Sequence, residues 1–391
     1  MVRWALLAML PFVDGQGSGR LISLEGVAKE RGASMALQLG SSIRRLFEAK
    51  VLAYSTIPDG LSRWDEMAIA MAPVIEQHAP VTWQELEGAA AAFVPGVNRS
   101  VLLHLAVEYE LYVETSREKH GLMAAVNEKC TGFGSPGLSG QNNDEDPSLY
   151  LDAAEDVVLA VRGCEGLSDS ALIYTHPGWP AYMGMNGAGL AVLWQFIDNG
   201  EQRIGVPTNV LIREMLTRPT LESALEYLQG VPRAIANNFI LTDVHRTVNV
   251  EVSPSHFTAL TVNKGFVVHT NHIIFDQEMQ DHDVGIIQSK TSVERYHALR
   301  NLVAAHGLAG MNRGILAGML RTHPIFRDGA EGTDNHTLAS MVFDVVNLTM
   351  EIWFKGDGVG GASGHFFELN GGPLNACAEK GKSIAANLLT M

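Results

Sequence analysis

The chain has 391 residues, of which 46% are apolar and 18% charged, and its formal charge is −15. That is the composition of a folded chain, long enough for one large domain or two ordinary ones. An acidic balance with no basic block argues against nucleic acid and against docking on an anionic membrane.

The N-terminus carries an apolar run, Trp4 to Val13, after a single Arg3. Such a run resembles the apolar part of a signal peptide, but Pro11 interrupts it and the basic lead-in is thin. A cytoplasmic protein is therefore expected, with export through this segment as the alternative. No apolar stretch reaches the roughly 20 residues of a membrane span. The first third then reads as helical. Ser23 to Val51 has apolar residues at helical spacing, with Gly26 and Gly32 breaking its start. Leu61 to His78 places Trp64, Met67, Ala68 and Met71 on one face. Thr82-Trp83-Gln84-Glu85 reads as a capping box opening a third helix, and Asn98 precedes a fourth through Leu111.

Beyond Glu128 the texture changes. Cys130 to Pro147 is rich in Gly, Ser, Asn and Asp and reads as a loop. Strands are expected at Asp156–Val161, Ala171–Tyr174, Leu190–Ile197, Phe239–Thr242, Val248–Val252, Thr258–Val262 and Phe266–Thr270. Helices are expected at Pro207–Leu216, Leu221–Leu228 and Ser292–His306, and closing strands at Leu338–Val345 and Thr349–Phe354. Strand runs with helices between them predict an α+β fold, largely antiparallel.

Several motifs fail on context. Gly356 to Gly361 matches G-x-G-x-x-G, but no helix follows and too little chain remains for a βαβ unit. His269 and His272 have a spacing that metal ligands can use, which leaves a metal-dependent hydrolase as an alternative. Thr270-Asn271 between them do not make the helical zinc motif, and a hydrogen-bonded junction is the plainer reading. No nucleophile elbow or phosphate-binding loop is present. Of the three cysteines, Cys130 stands where the helical leader meets the β-rich body. A cysteine in a loop is ordinarily unreactive, and its neighbours give it interest.

Those neighbours form an ordered set. Val94-Pro95-Gly96-Val97 comes first, then Cys130-Thr131, Gly140-Gln141-Asn142-Asn143-Asp144 and Gly184-Met185-Asn186-Gly187-Ala188-Gly189. Gly205-Val206-Pro207, Glu251-Val252-Ser253-Pro254, His269-Thr270-Asn271-His272 and Thr337-Leu338 follow. In this order they resemble the acyl-coenzyme A:6-aminopenicillanate acyltransferases and their relatives among the N-terminal-nucleophile hydrolases. The resemblance covers about residues 20 to 360. It implies an α+β fold, a four-layer αββα sandwich, and a precursor that cuts itself between Lys129 and Cys130. Residues 1–129 would become a helical α chain and 130–391 a β-rich β chain, held together as one domain.

The chemistry has a physical logic of its own. A free α-amine has a pKa of about 7.7–8.0, so it can be neutral near neutral pH and act as base for its own thiol. The resemblance makes Cys130 the nucleophile and gives Asn271 the role of oxyanion donor. It makes Asp144 the carboxylate that orients the new amine. Ser253 would support processing or substrate contact. Read from residues alone, Asn271 and Ser253 are turn residues and Asp144 a loop cap. Thr131, Asn143 and Asp334 are the implied substrate contacts, Glu251 is read as structural, and Cys164 and Cys377 as dispensable. No cofactor and no metal is implied.

Four departures point away from penicillin synthesis itself. Lys129 stands where those enzymes carry Gly, Asp334 near where they carry Arg, and Asn143 where they carry Trp. A peroxisomal tail is also missing. The expected activity is thus an amide hydrolase or acyltransferase working through a Cys130 thioester on a small-molecule amide, with a thioester as a further candidate donor. A non-catalytic binding protein on the same fold is the other alternative. Beyond the two fragments, association of copies into a homo-oligomer is left open.

Overall fold

The computed structural model describes residues 21–120, 130–145, 156–164, 166–283, 290–328, 336–355 and 364–369. Lys129, Asp334, Cys377, the N-terminal apolar run and the glycine-rich segment 356–361 lie outside them.

Helical spacing in the first third gives α1 (Ala28–Ser55), α2 (Gly60–His78), α3 (Pro80–Ala91) and α4 (Arg99–His120). Their apolar stripes bury Ile43, Leu46, Trp64, Met71 and Leu105. Three readings need correction. A short strand, β1 (Leu21–Glu25), precedes α1. Gly32 does not break α1; it lies inside it, where α3 crosses so closely that a Cβ would sit 1.8 Å from the Glu85 carbonyl oxygen. Thr82 caps nothing: Pro80 starts α3, and Thr82 donates its N–H (2.8 Å) and hydroxyl (3.0 Å) to the Glu214 carboxylate.

The body forms two sheets. The first joins β1 to β4 (Val157–Arg162), β5 (Ala171–Thr175), β6 (Met183–Asn186) and β7 (Ala191–Phe196). It continues through β8 (Asn237–Thr242), β9 (Thr247–Val252) and β10 (Phe257–Val262). Only the β1–β4 pairing is parallel among the described pairs. The second sheet runs β11 (Val267–His269), β2 (Cys130–Ser135), β3 (Leu138–Glu145), β12 (His336–Asp344), β13 (Thr349–Phe354), β14 (His365–Glu368). It is antiparallel throughout. Helices α5 (Thr208–Met215) and α6 (Leu221–Gly230) join α1 to α4 over the first sheet. A one-turn α7 (Gln277–Gln280) caps the junction after β11. Helices α8 (Lys290–His306) and α9 (Arg313–Leu320) cover the second.

Strand alternation assigns the layers. On β12, Met341 and Phe343 face the core shared with the first sheet, while Val342 faces Leu316 and Leu320 of α9. The order is therefore helices, sheet, sheet, helices: the αββα sandwich. The N-terminal helices and the first sheet share one apolar core. Among the described residues no helix is long and apolar enough to cross a membrane.

Candidate active site

The stretch read as a loop, Cys130 onward, is in fact the β2–β3 hairpin at the centre of the second sheet. Its polar side chains are all buried, and several of them find partners in an adjacent layer. Gln141 reaches across to β7, where its Nε2 donates to the Trp194 carbonyl (2.5 Å) and its Oε1 accepts from the Trp194 N–H (3.2 Å). Asn142 points the other way. It donates to the Leu320 and Ile325 carbonyls (2.7 and 3.0 Å) and accepts from Ser340 (2.7 Å). The pleat places Gln141, Asn143 and Glu145 toward the first sheet, and Asn142 and Asp144 away from it.

Cys130 is directly opposite Asn143 in the hairpin and shares its face. Its N–H donates to Asn271 Oδ1 (3.1 Å), and its Sγ lies 3.8 Å from the Tyr182 hydroxyl. Tyr182 donates to Glu145 Oε1 (3.1 Å). Burial pushes the thiol well above its ordinary range; the nearby Glu145 and Asp144 carboxylates add to the effect, while Tyr182 and Arg295 oppose it. Among the described residues Cys130 is the free cysteine, whereas Cys164 is disulfide-bonded.

Asn271 follows β11 and is held from three sides. Its Oδ1 accepts from Cys130 N–H and from Arg295 (2.9 Å), its Nδ2 donates to the Phe196 carbonyl (2.9 Å), and its N–H donates to Ser292 Oγ (2.8 Å). These partners fix which amide atom is oxygen. Arg295, buried on α8, also donates to Thr131 Oγ1 (2.7 Å) and to the Cys130 carbonyl. One guanidinium thus ties Cys130 and Thr131, at the start of β2, to Asn271 far along the chain.

Asp144 is paired with Thr337 across the sheet and accepts from its hydroxyl at 2.6 Å. Its Oδ2 has no hydrogen-bond partner among the described residues. Burial pushes its carboxyl up to about 6, against the pull of Arg295 and Arg327. Asn143 donates to the Tyr174 hydroxyl (3.0 Å), which donates to Asp156 Oδ2 (2.5 Å); His176 holds the other Asp156 oxygen at 2.6 Å.

Cys130, Thr131, Asn143, Asp144 and Asn271 are therefore brought together. Ser253 is not in contact with them. It ends β9 in a turn, donating to Glu201 (2.8 Å) and accepting from the N–H groups of Ser255 and His256. His269 and His272 are occupied by hydrogen bonds: His269 with Glu251 (2.8 Å) and the Thr270 carbonyl, His272 with Ser292 Oγ (2.8 Å). No cluster of three or more metal-binding side chains occurs among the described residues. Burial lowers His272 to about 3, which keeps it neutral. Glu251 is structural, accepting from the N–H groups of Ile274, Phe275 and Asp276.

Three site residues escaped the sequence reading: Arg295, Tyr182 and Glu145. Arg295 carried a signal, since it shares the buried stripe of its helix with Leu299 and Val303. A charge at a core position requires partners.

The chain belongs to the acyl-coenzyme A:6-aminopenicillanic acid acyl-transferase family, whose model matches residues 133–358. The match begins just after Cys130. Among solved structures, a mutant of conjugated bile acid hydrolase from Clostridium perfringens is similar at 13% identity, with a TM-score of 0.40. That similarity covers 62% of this chain and 97% of that one. A second variant of that hydrolase is 11% identical over 63% and 91% of the two chains, with a TM-score of 0.35. Penicillin V acylase from Agrobacterium tumefaciens is 15% identical over 58% and 83%, with a TM-score of 0.34.

Proposed function

We propose that this chain is a self-processing N-terminal-cysteine enzyme, an amide hydrolase or acyltransferase for a small acylated amine. The family membership supports the reaction class. The observation that carries the reading to particular residues is the seat of Cys130, with its N–H on Asn271 and its carbonyl on Arg295.

In the uncut chain the thiol is buried and the site is closed. Cleavage of the Lys129–Cys130 bond would free an α-amine at the position now held by Asn271 Oδ1. That amine is the base for its own thiol. The thiolate attacks the substrate carbonyl and forms a thioester, releasing an amine. Water or a second amine then takes the acyl group. Asp144, with an oxygen to offer, would hold the amine, and the side-chain amide of Asn271 would serve as the oxyanion donor. The two pieces would stay together, because α1 to α4 and the first sheet share a core. The disulfide at Cys164 weighs toward the exported alternative rather than the cytoplasm.

Intact-mass spectrometry of the purified protein tests the reading. Two pieces, 1–129 and 130–391, are expected, and Cys130→Ala is expected to stay whole and inactive. A Cys130→Ala protein that still splits, or that turns over amides at the wild-type rate, would refute it.

A further inference from the structure

Self-cleavage raises a problem that the mature enzyme does not have. Before the cut, the nitrogen of Cys130 is a peptide nitrogen, and its N–H donates to Asn271. A peptide nitrogen cannot accept the thiol proton, so another base must act first. We propose that Glu145, acting through the Tyr182 hydroxyl, is the base that activates Cys130 in the uncut chain. This rests on the self-processing reading above.

The pleat of β3 selects Glu145 over its neighbour. Cys130 pairs with Asn143, so Asn143 and Glu145 project on the thiol's side of the sheet and Asp144 on the other. Asp144 Oδ1 is held by Thr337 across the strand pair. His269 is held by Glu251, and His272 by Ser292. Tyr182 supplies the link, with its oxygen 3.8 Å from Sγ and 3.1 Å from Glu145 Oε1. The one phenolic proton donates to the carboxylate, so in the contact with Sγ the thiol is the donor. That orders the relay from sulfur to phenol to carboxylate.

The step balances. The thiol proton moves to the Tyr182 oxygen as the phenolic proton moves to Glu145. The thiolate bonds to the Lys129 carbonyl carbon, and the bond from that carbon to the Cys130 nitrogen breaks. The proton held at Glu145 goes to the leaving nitrogen, which becomes the free amine. Water then hydrolyses the thioester, leaving a carboxylic acid on Lys129 and restoring the thiol. Tyr109, Tyr174, Asp144 and Arg295 are the other ionisable groups that act on the thiol or on Tyr182.

The test follows appearance of the two pieces by mass spectrometry in full-length chain made by cell-free translation, from about pH 5 to 9. Wild type is expected to reach a rate plateau above the pKa of the relay. Glu145→Gln is expected to cut about 10²–10⁴-fold more slowly, with a rate that climbs with hydroxide instead of levelling. Glu145→Asp should fall between them, and Tyr182→Phe should slow the cut while keeping the ring in place. A merely structural role would not convert the plateau to a climbing line. Wild-type rate and profile in Glu145→Gln overturn the proposal. If that variant does not fold, the same result in Tyr182→Phe overturns it. A wild-type chain that never splits refutes the self-processing reading and the relay together; splitting at the wild-type rate and with the wild-type pH profile in every variant except Cys130→Ala refutes the relay alone.

Discussion

Strand β3 ends in two adjacent acids, and its two faces treat them differently. Glu145 lies on the side of the thiol and takes the Tyr182 hydroxyl. Asp144 lies on the opposite side, takes the Thr337 hydroxyl, and feels two guanidinium groups, Arg295 and Arg327. One residue of register thus divides two carboxylates between two environments. The difference would suit the two stages of the proposed self-processing: a base while Cys130 is still in a peptide bond, and an anion once its amine is free.

The largest expected effect comes from stripping one face. Arg295→Met removes the donor that joins Cys130, Thr131 and Asn271, and it leaves Asp144 with less positive charge nearby. Removing one partner of a buried charged network ordinarily destabilises by about 3–5 kcal/mol. Urea unfolding of the Cys130→Ala chain with and without Arg295→Met measures this on uncut protein. A loss below about 1 kcal/mol would mean that the guanidinium does not organise this face.

Asp144→Asn sharpens the contrast more gently. The carboxyl is raised in the fold from 3.8 to about 6, so the fold holds its proton more tightly than the unfolded chain does. Stability from this group is full below about pH 4 and is lost as pH rises through about 6. Asparagine resembles the neutral acid and has no such loss. At about pH 7.5, Asp144→Asn in the Cys130→Ala background should therefore be more stable by about 3 kcal/mol. Its Tm should also vary less between about pH 4 and 6. An unchanged slope across that range would contradict the burial argument.

Legibility in the sequence followed the same division. Helix α2 was readable to within a residue, because Trp64, Met67, Ala68 and Met71 mark one face and nothing else competes. Strands such as β9 were readable from β-branched runs. The β2–β3 hairpin was not, because burial on both faces removes alternation and its partners are other layers rather than apolar neighbours. Gly132 shows why: a Cβ there would sit 2.3 Å from Gln195 Nε2, so the glycine is a packing residue and not a loop signal. Cys130, Asp144 and Asn271 were found through motif order, whereas Arg295 and Tyr182 lie in segments without a motif and are joined to Cys130 only by the fold.

Ser253 provides the smallest effect and the control for both faces. It was assigned to the site by motif position, yet its partners are Glu201, Ser255, His256 and Arg233. The hydroxyl closes a turn after β9, and two residues earlier Glu251 anchors the segment that follows Asn271. Ser253→Ala removes a hydrogen bond to a carboxylate and leaves the Cys130 contacts intact, so a loss of about 1–2 kcal/mol in stability is expected. The rate of cutting, followed by intact mass, should change less than about threefold, which corresponds to under about 1 kcal/mol in the barrier. A fall of 10²-fold or more with the fold preserved would place Ser253 in the reaction and show that the two faces of β3 do not contain the whole site.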